Sequence, residues 1–335
     1  MNEKESKVDF LAIGDIVIDA FIKLKDAHVH CKMDTDACEL CLRFGDKVPY
    51  ESVTVIPAVG NAANAAVSAS RLGLRSALLT NLGDDKEGEN CLSALKKDNV
   101  NTDLVKVNTG IKTNYHYVLW YGPERTILIK HEKYHYELGS IGEPKWLYFS
   151  SVSDSAFPFH NTVADYLDSH KDIKLAFQPG KNEIKLGKEK LARLYKRAEI
   201  FFCNVEEAEK ILGKETKDIL ELSKGIAILG PKIISISDGP NGAYLYLNNE
   251  LWHIPIYPDI APPMERTGAG DAFSSTFTAA LALGKNPLEA FTWGPINSMS
   301  VVQEIGAQKG LLYREKLEEY LKNAPANYKA EKIEK

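Results

Sequence analysis

From residue 146 onward the chain repeats one pattern, a short apolar run of strand length followed by a stretch with helical spacing. Residues 146–150 lead to a helical stretch near 161–169, 173–177 to one near 188–196, and 200–202 to one at 205–212. A further helical stretch at 216–225 precedes the apolar run 233–236. Strands separated by helices do not pair as hairpins, because each crossover carries the chain over one face of the sheet first. The expected fold is therefore α/β, with a mostly parallel central sheet, helices on both faces, and ligands at the carboxyl ends of the strands. At 335 residues there is chain enough for that core and a smaller appendage.

The N-terminal half supplies the appendage. Residues 8–13 are an apolar run ending at Gly14-Asp15, and 17–24 continue as a second extended segment with Asp19 among apolar neighbours. A carboxylate there is costly to bury without a partner, so Asp19 turns either to solvent or to a ligand hydroxyl. Residues 25–56 pass from charged to β-branched, and 113–120 and 126–130 are β-rich around a hairpin signal at 121–125. Together these segments, about 17–56 and 111–131, are expected to form a small β-sheet lid. Between them Gly60 precedes an Ala-rich helix closed by Gly73, with Asn61 and Asn64 on one face of its first turn. Two amides at a helix start either cap and pack or hydrogen-bond a polar ligand. A strand at 75–80, a turn at 81–85 and a helix at 86–97 complete this half.

The chemistry gathers at Glu265-Arg266-Thr267-Gly268-Ala269-Gly270-Asp271-Ala272-Phe273, ahead of a helical run to about 283. Small residues before a helix let the backbone approach a ligand, and the first helical N–H groups lack internal partners. Those groups and the positive end of the helix dipole suit an anion. An Asp at that point would repel a phosphate, unless it serves to take a proton from a hydroxyl while the N–H groups steady the charge. That is the arrangement of a kinase for a small alcohol; a helix N-terminus with an Asp cap is the simpler alternative. Two strand ends add to it. Asn204-Val205-Glu206-Glu207 reads either as a capped helix start or as a carboxylate holding Mg²⁺ through water. Ser237-Asp238-Gly239-Pro240-Asn241-Gly242 reads as a tight turn or as a receiver of phosphate or adenosine. Helices are expected from Asn286-Pro287 through Trp293, at 296–303 and at 313–321, before a polar, frayed tail at 323–335.

Lys and Arg number 41 against 46 Asp and Glu, a formal charge of −5, which counts against nucleic acid or an anionic membrane as partner. No apolar run reaches the ~18 residues of a membrane span, and Met1–Lys7 has no apolar signal core. A cytoplasmic protein is expected. The five cysteines include Cys31, Cys38 and Cys41 close together. With His28 and His30 upstream a zinc site comes into question, but one Cys-x2-Cys pair without a second points to buried or half-buried thiols in the lid, without a disulfide framework.

Taken together these residues resemble the ribokinase-like, or PfkB, family of carbohydrate and nucleoside kinases, from Gly14 to about Leu312. Thr267–Phe273 is similar to the family's C-terminal signature and Gly60–Asn64 to its N-terminal one; Asn204-x-x-Glu207 and Ser237-x-Gly239-x-x-Gly242 match two further motifs. The resemblance implies a Rossmann-like domain, here residues 1–322, with a lid that closes over the substrate and pairs subunits into a homodimer. It makes Asp271 the catalytic base and Gly268, Ala269 and Gly270 the anion hole. It places Asn204 and Glu207 beside Mg²⁺, and Ser237, Gly239, Gly242 and Asn297 around ATP. Asp19, Gly60, Asn61 and Asn64 would grip sugar hydroxyls.

Some positions depart from the pattern. Val59-Gly60 replaces paired glycines, Val17 stands where ribokinases carry Asn, and Glu265-Arg266-Thr267 replaces Asp-Thr-Thr. The last counts against activation by a monovalent cation and puts Arg266 near the phosphates. The resulting expectation is an ATP-dependent, Mg-dependent sugar kinase acting on a hydroxymethyl group. A nucleoside kinase is the alternative, for which Tyr115, Tyr117, Trp120 and Tyr121 would supply an aromatic clamp. A non-catalytic sugar- or nucleotide-binding regulator is the third reading.

Overall fold

The computed structural model describes residues 8–31, 38–122 and 124–334. Met1–Lys7, residues 32–37 of the excursion, Pro123 of the hairpin turn and Lys335 of the tail lie outside them.

Among the described residues the central sheet has ten strands. From one edge inward run Val105–Asn108, Ser76–Gly83, Phe10–Ile13, Trp146–Phe149, Lys174–Phe177, Ala198–Asn204 and Ile233–Ser237, all parallel. Three antiparallel strands then extend it: Ala243–Leu247, Glu250–Ile254 and the two-residue Glu331–Lys332. The parallel part follows from the strand–helix alternation. The hairpin beyond Gly242 was not expected, because its strands lie next to each other without a helix between.

The sheet is buried on both faces. Along Phe10–Ile13, Phe10 and Ala12 enter one core while Leu11 and Ile13 enter the other, as the two-residue repeat of a strand requires. The first core contains the helices Asn61–Arg71, Ala269–Ala282 and Pro287–Val301. Ala272 through Ala280 of the second of these is buried on every side. Its Ala, Ser and Thr composition lets neighbours come close: Ser68 Oγ meets Thr276 Oγ1 at 3.3 Å, and the ring of Phe273 fills the space a Cβ on Gly294 would need. Such a helix is a rigid support for whatever its N-terminus carries.

Two expectations change here. Residues 287–301 form one continuous helix through Pro295, where two were read; Gly294 and Pro295 are buried against the central helix, and that packing holds the run together. The tail is not frayed. Tyr328 is buried, its hydroxyl donates to the Thr292 carbonyl at 2.5 Å, and Glu331–Lys332 pairs with Glu250–Ile254.

The lid is a four-stranded sheet in the order Tyr50–Val59, Val17–Leu24, Tyr115–Tyr121, Glu124–Leu128. A separate ribbon, His28–Cys31 with Cys38–Cys41, is closed by a Cys31–Cys38 disulfide. This corrects the reading of buried or half-buried thiols for two of these cysteines: Cys31 and Cys38 are exposed and bonded to each other, while Cys41 is a free, half-buried thiol as expected. No helix among the described residues is long and apolar enough to cross a membrane.

Candidate active site

Asp15, Gln178, Asn204 and Ser237 stand at or just past the carboxyl ends of four parallel strands. The Ala269–Ala282 helix points its N-terminus at them, with Asp271 in its first turn. Gly268 precedes it in a left-handed conformation (φ +81°), where a Cβ would come within 2.3 Å of Ala307. Only glycine fits. Around Gly270 there is instead open space, which leaves its backbone reachable. The first helical bond runs from Ala272 N to the Gly268 carbonyl at 2.8 Å, so the N–H groups of Ala269, Gly270 and Asp271 have no acceptor within the helix. Glu265 ties the loop down, accepting from Thr267 N at 2.6 Å and Gly306 N at 2.9 Å.

Asp271 is held by three amides. Asn61 Nδ2 donates to Oδ1 at 3.0 Å, Gln178 Nε2 to Oδ1 at 3.1 Å, and Asn64 Nδ2 to Oδ2 at 2.8 Å. Burial pushes the carboxyl above its ordinary pKa, and the three donors pull part of the way back. Asn64 is itself held in place, since its Oδ1 accepts from Gln308 Nε2 at 3.0 Å. Both asparagines orient the carboxylate, a role that their expected grip on sugar hydroxyls did not include. Gln178 is oriented in turn by Tyr148, whose hydroxyl donates to Gln178 Oε1, and by Ser274 at 3.2 Å. Burial raises the Tyr148 pKa well above the usual phenol value, so it remains a donor.

A cavity of about 230 Å³ opens before Asp271, lined by Asn61, Arg125, Gln178, Asn204, Glu207 and Arg266 among others. Both readings of Asn204-x-x-Glu207 meet here. The pair is a reciprocal capping box, with Glu207 N donating to Asn204 Oδ1 at 2.8 Å and Asn204 N to Glu207 Oε2 at 2.9 Å, and both side chains also line the cavity. Burial raises the Glu207 pKa. An adjoining slot of about 280 Å³ is mostly apolar, walled by Ile256, Tyr257, Pro295, Met299 and Val302, with Ser237, Gly239 and Gly242 at its side. Gly242 (φ +90°) must be glycine, because a Cβ would meet the Ile254 carbonyl at 2.1 Å. Arg266 borders both spaces.

Asn297 is not in this slot. It is fully buried, donating to Thr276 Oγ1 at 2.7 Å and accepting from Leu312 N at 2.9 Å, so it ties three segments together. Its neighbour Ser298 lines the slot instead. Gly60 (φ +113°) packs on Asp15, whose carbonyl would lie 2.6 Å from a Cβ. Asp19 is buried on the inner lid face, 3.5 Å from His116 Nδ1. Gln178, Tyr148, Arg125, Asp15, His116 and His131 had not been singled out. Gln178 and Asp15 follow strands directly, a position that could have marked them; Tyr148, inside a strand, carries no signal.

The family model described as pfkB family carbohydrate kinase matches residues 28–312. A ribokinase of Bacillus subtilis is 28% identical over 290 residues, covering 83% of this chain and 92% of that protein. The fold is shared with the nucleoside kinase of Methanocaldococcus jannaschii (TM-score 0.76, 17% identity, 95% of this chain and 99% of that one). It is shared equally with Arabidopsis thaliana ribokinase complexed with ribose and ATP (TM-score 0.75, 18% identity, 94% and 99%).

Proposed function

Since the chain belongs to the PfkB family of carbohydrate kinases, we propose that it transfers the terminal phosphoryl group of ATP to a hydroxymethyl group of a small sugar. The observation that carries this reading is Asp271: a carboxylate held by three amides at the N-terminus of a buried helix, facing a cavity that continues into an apolar slot.

In this reading the Asp271 carboxylate takes the proton of the acceptor hydroxyl as its oxygen forms a bond to phosphorus and the bond to the ADP oxygen breaks. The backbone N–H groups at the start of the helix and the exposed Arg266 face the charge on the transferred group. The apolar slot takes the adenine ring, with Ser237, Gly239 and Gly242 along the nucleotide. Among the described residues no three His, Cys, Asp or Glu side chains converge as a metal cage. The donor set instead suits Mg²⁺ held chiefly by nucleotide oxygens and water, with Glu207 as the protein carboxylate. Bound there, Mg²⁺ would offset phosphate charge. Both Glu265 oxygens are taken by backbone N–H groups, which supports a loop held by the protein rather than by a monovalent cation. The proposed location is the cytoplasm, where ATP is supplied.

A sugar acceptor is favoured over a nucleoside by the lid register. Asp19 pairs with His116, so His116, Val118 and Trp120 share its face while Tyr115 and Tyr117 turn to the other. Trp120 itself is engaged by the Gly122 carbonyl at 3.0 Å and by Lys23 over its ring. The outer lid face carries the row Val55, Ala20, Tyr117 and Leu128, with Val53 beside it. Val55, Tyr117 and Leu128 are about half exposed, which supports a homodimer through the lid.

Purified protein with Mg-ATP is to be screened against sugars and nucleosides for ADP release, beside Asp271→Asn. We expect turnover with a sugar and a loss of ~10³-fold or more in the variant, which keeps the shape but not the base. Equal turnover in the variant, or none in the wild type although ATP binds, would overturn the catalytic reading.

A further inference from the structure

The backbone is strained where the lid joins the core. Ala58, next to last in the lid strand Tyr50–Val59, is fully buried and takes φ +61°, a left-handed conformation that favours glycine. Such a conformation persists where the surroundings hold it from several sides. Side chains hold both backbone polar groups of Ala58: its N–H donates to Cys91 Sγ at 3.2 Å, and its carbonyl accepts from Gln308 Nε2 at 2.6 Å. Cys91 comes from the helix Lys86–Lys97 and Gln308 from the segment after Pro287–Val301, so two remote elements clamp one residue.

Gln308 makes a second bond with the same nitrogen. Its Nε2 donates to Asn64 Oδ1 at 3.0 Å, and Asn64 Nδ2 donates to Asp271 Oδ2 at 2.8 Å. An amide side chain has a donor end and an acceptor end, and its partners decide which goes where. The Ala58 carbonyl can only accept, so Gln308 must turn its NH2 group toward it. Both hydrogens of that group are then spent, one on Ala58 and one on Asn64. Asn64 must therefore offer its oxygen to Gln308, which leaves its own NH2 group for Asp271. One backbone carbonyl at the root of the lid thus sets the direction of a relay that ends on the carboxylate. Were Asn64 reversed, its oxygen would face the ionised Asp271 and a donor would be lost.

The relay is anchored at its source. Arg71, at the far end of the helix that carries Asn61 and Asn64, donates to the Gln308 carbonyl at 2.7 Å and to the Leu311 carbonyl at 2.8 Å. The neighbouring residues hold the anion loop, Gly306 through Glu265 and Ala307 against Gly268. Gln308 itself is buried and lines neither the cavity nor the slot.

We propose that Gln308 is a positioning residue: by reading the Ala58 carbonyl it fixes which end of the Asn64 amide faces Asp271, and so couples the root of the lid to the orientation of the base. That Asp271 is a base rests on the kinase reading above; the relay of hydrogen bonds does not.

The test is a double-mutant cycle on the full chain with Gln308→Met, Gln308→Glu, Asn64→Ala and Asn64→Ala combined with Gln308→Met. Gln308→Met keeps the length and loses the donor, and kcat should fall ~10-fold, the scale of one hydrogen bond to a charged group, with KM for ATP unchanged. Gln308→Glu should cost more, ~100-fold, because only the NH2 end of Asn64 can meet a carboxylate, and its oxygen then turns to Asp271. In the Asn64→Ala background Gln308→Met should lower kcat no further. If Gln308→Glu does not fold, Gln308→Met decides. An unchanged kcat in Gln308→Met, or the same loss in both backgrounds, would overturn the proposal. If the wild type releases no ADP with any acceptor, the kinase reading falls and the cycle is read instead from urea unfolding midpoints. A midpoint loss from Gln308→Met that shrinks in the Asn64→Ala background then upholds the relay, and equal losses overturn it.

Discussion

Replacing Gln178 by Met isolates what the three amides do for Asp271. The substitution keeps length and volume and removes the Nε2 donor 3.1 Å from Asp271 Oδ1. Asp271 already sits above its ordinary pKa because it is buried, and Gln178 is one of three groups pulling it down. Deleting a donor to the charged form raises the pKa further. The working base is the carboxylate, so the acid limb of the rate profile must move toward higher pH. A hydrogen bond to a charged group is worth about 1.5–3 kcal/mol. At about 1.4 kcal/mol per decade, the ionised fraction on that limb should fall ~10- to ~150-fold, with a smaller loss on the plateau. Tyr148 keeps Ser274 at 2.8 Å, which limits the structural cost. The assay is ADP formation as kcat/KM for the acceptor across pH, beside the wild type. An acid limb that stays in place, or moves to lower pH, would refute the reasoning.

Three further outcomes follow from the same geometry. Arg266→Ala should raise KM for ATP ~5-fold, the scale of an exposed ion pair, and leave the acceptor KM alone; unchanged ATP kinetics would remove Arg266 from the phosphate site. Asp9 is held well below the usual carboxylate range by Arg75 at 2.8 Å and Lys145 at 2.9 Å. Its contribution is present above the unfolded value near ~4 and lost as pH falls below it, so Asp9→Asn should cost about 1–2 kcal/mol at neutral pH and nothing at strongly acid pH, read by urea unfolding. Gly60→Ala forces a side chain onto φ +113° with its Cβ 2.6 Å from the Asp15 carbonyl. It should destabilise by about 2 kcal/mol or more and slow turnover through Asn61; a thermal scan matching the wild type would count against that strain.

What could be read from residue order was whatever depends on local pattern. Strand–helix alternation after Trp146 foretold the parallel sheet, and the small residues around Asp271 foretold an open helix start. The amide donors show where the pattern stops. Asn61 and Asn64 were visible as a pair, yet the carboxylate they hold lies more than two hundred residues away, so helix spacing could not announce it. Asn297 sits on a helix whose next residue faces the slot, and a rotation of one position decided between tether and lining. The hairpin beyond Gly242 lacked an intervening helix to announce it, and the Cys31–Cys38 bond depends on a strand pairing that spacing alone does not reveal.

The C-terminal strand has a consequence for how the protein behaves in concentrated solution. Glu331–Lys332 covers part of Glu250–Ile254, Ile333 N donates to the Leu251 carbonyl at 2.8 Å, and Tyr328 anchors the segment to Thr292. Without it, Glu250–Ile254 would become the outermost strand, offering a row of unpaired N–H and C=O groups to any passing chain. Glu331–Lys332 and Ile333 therefore cap part of that strand against edge-to-edge pairing. Proteolytic nicking or a tag placed there would change colloidal behaviour before it touched the chemistry at Asp271.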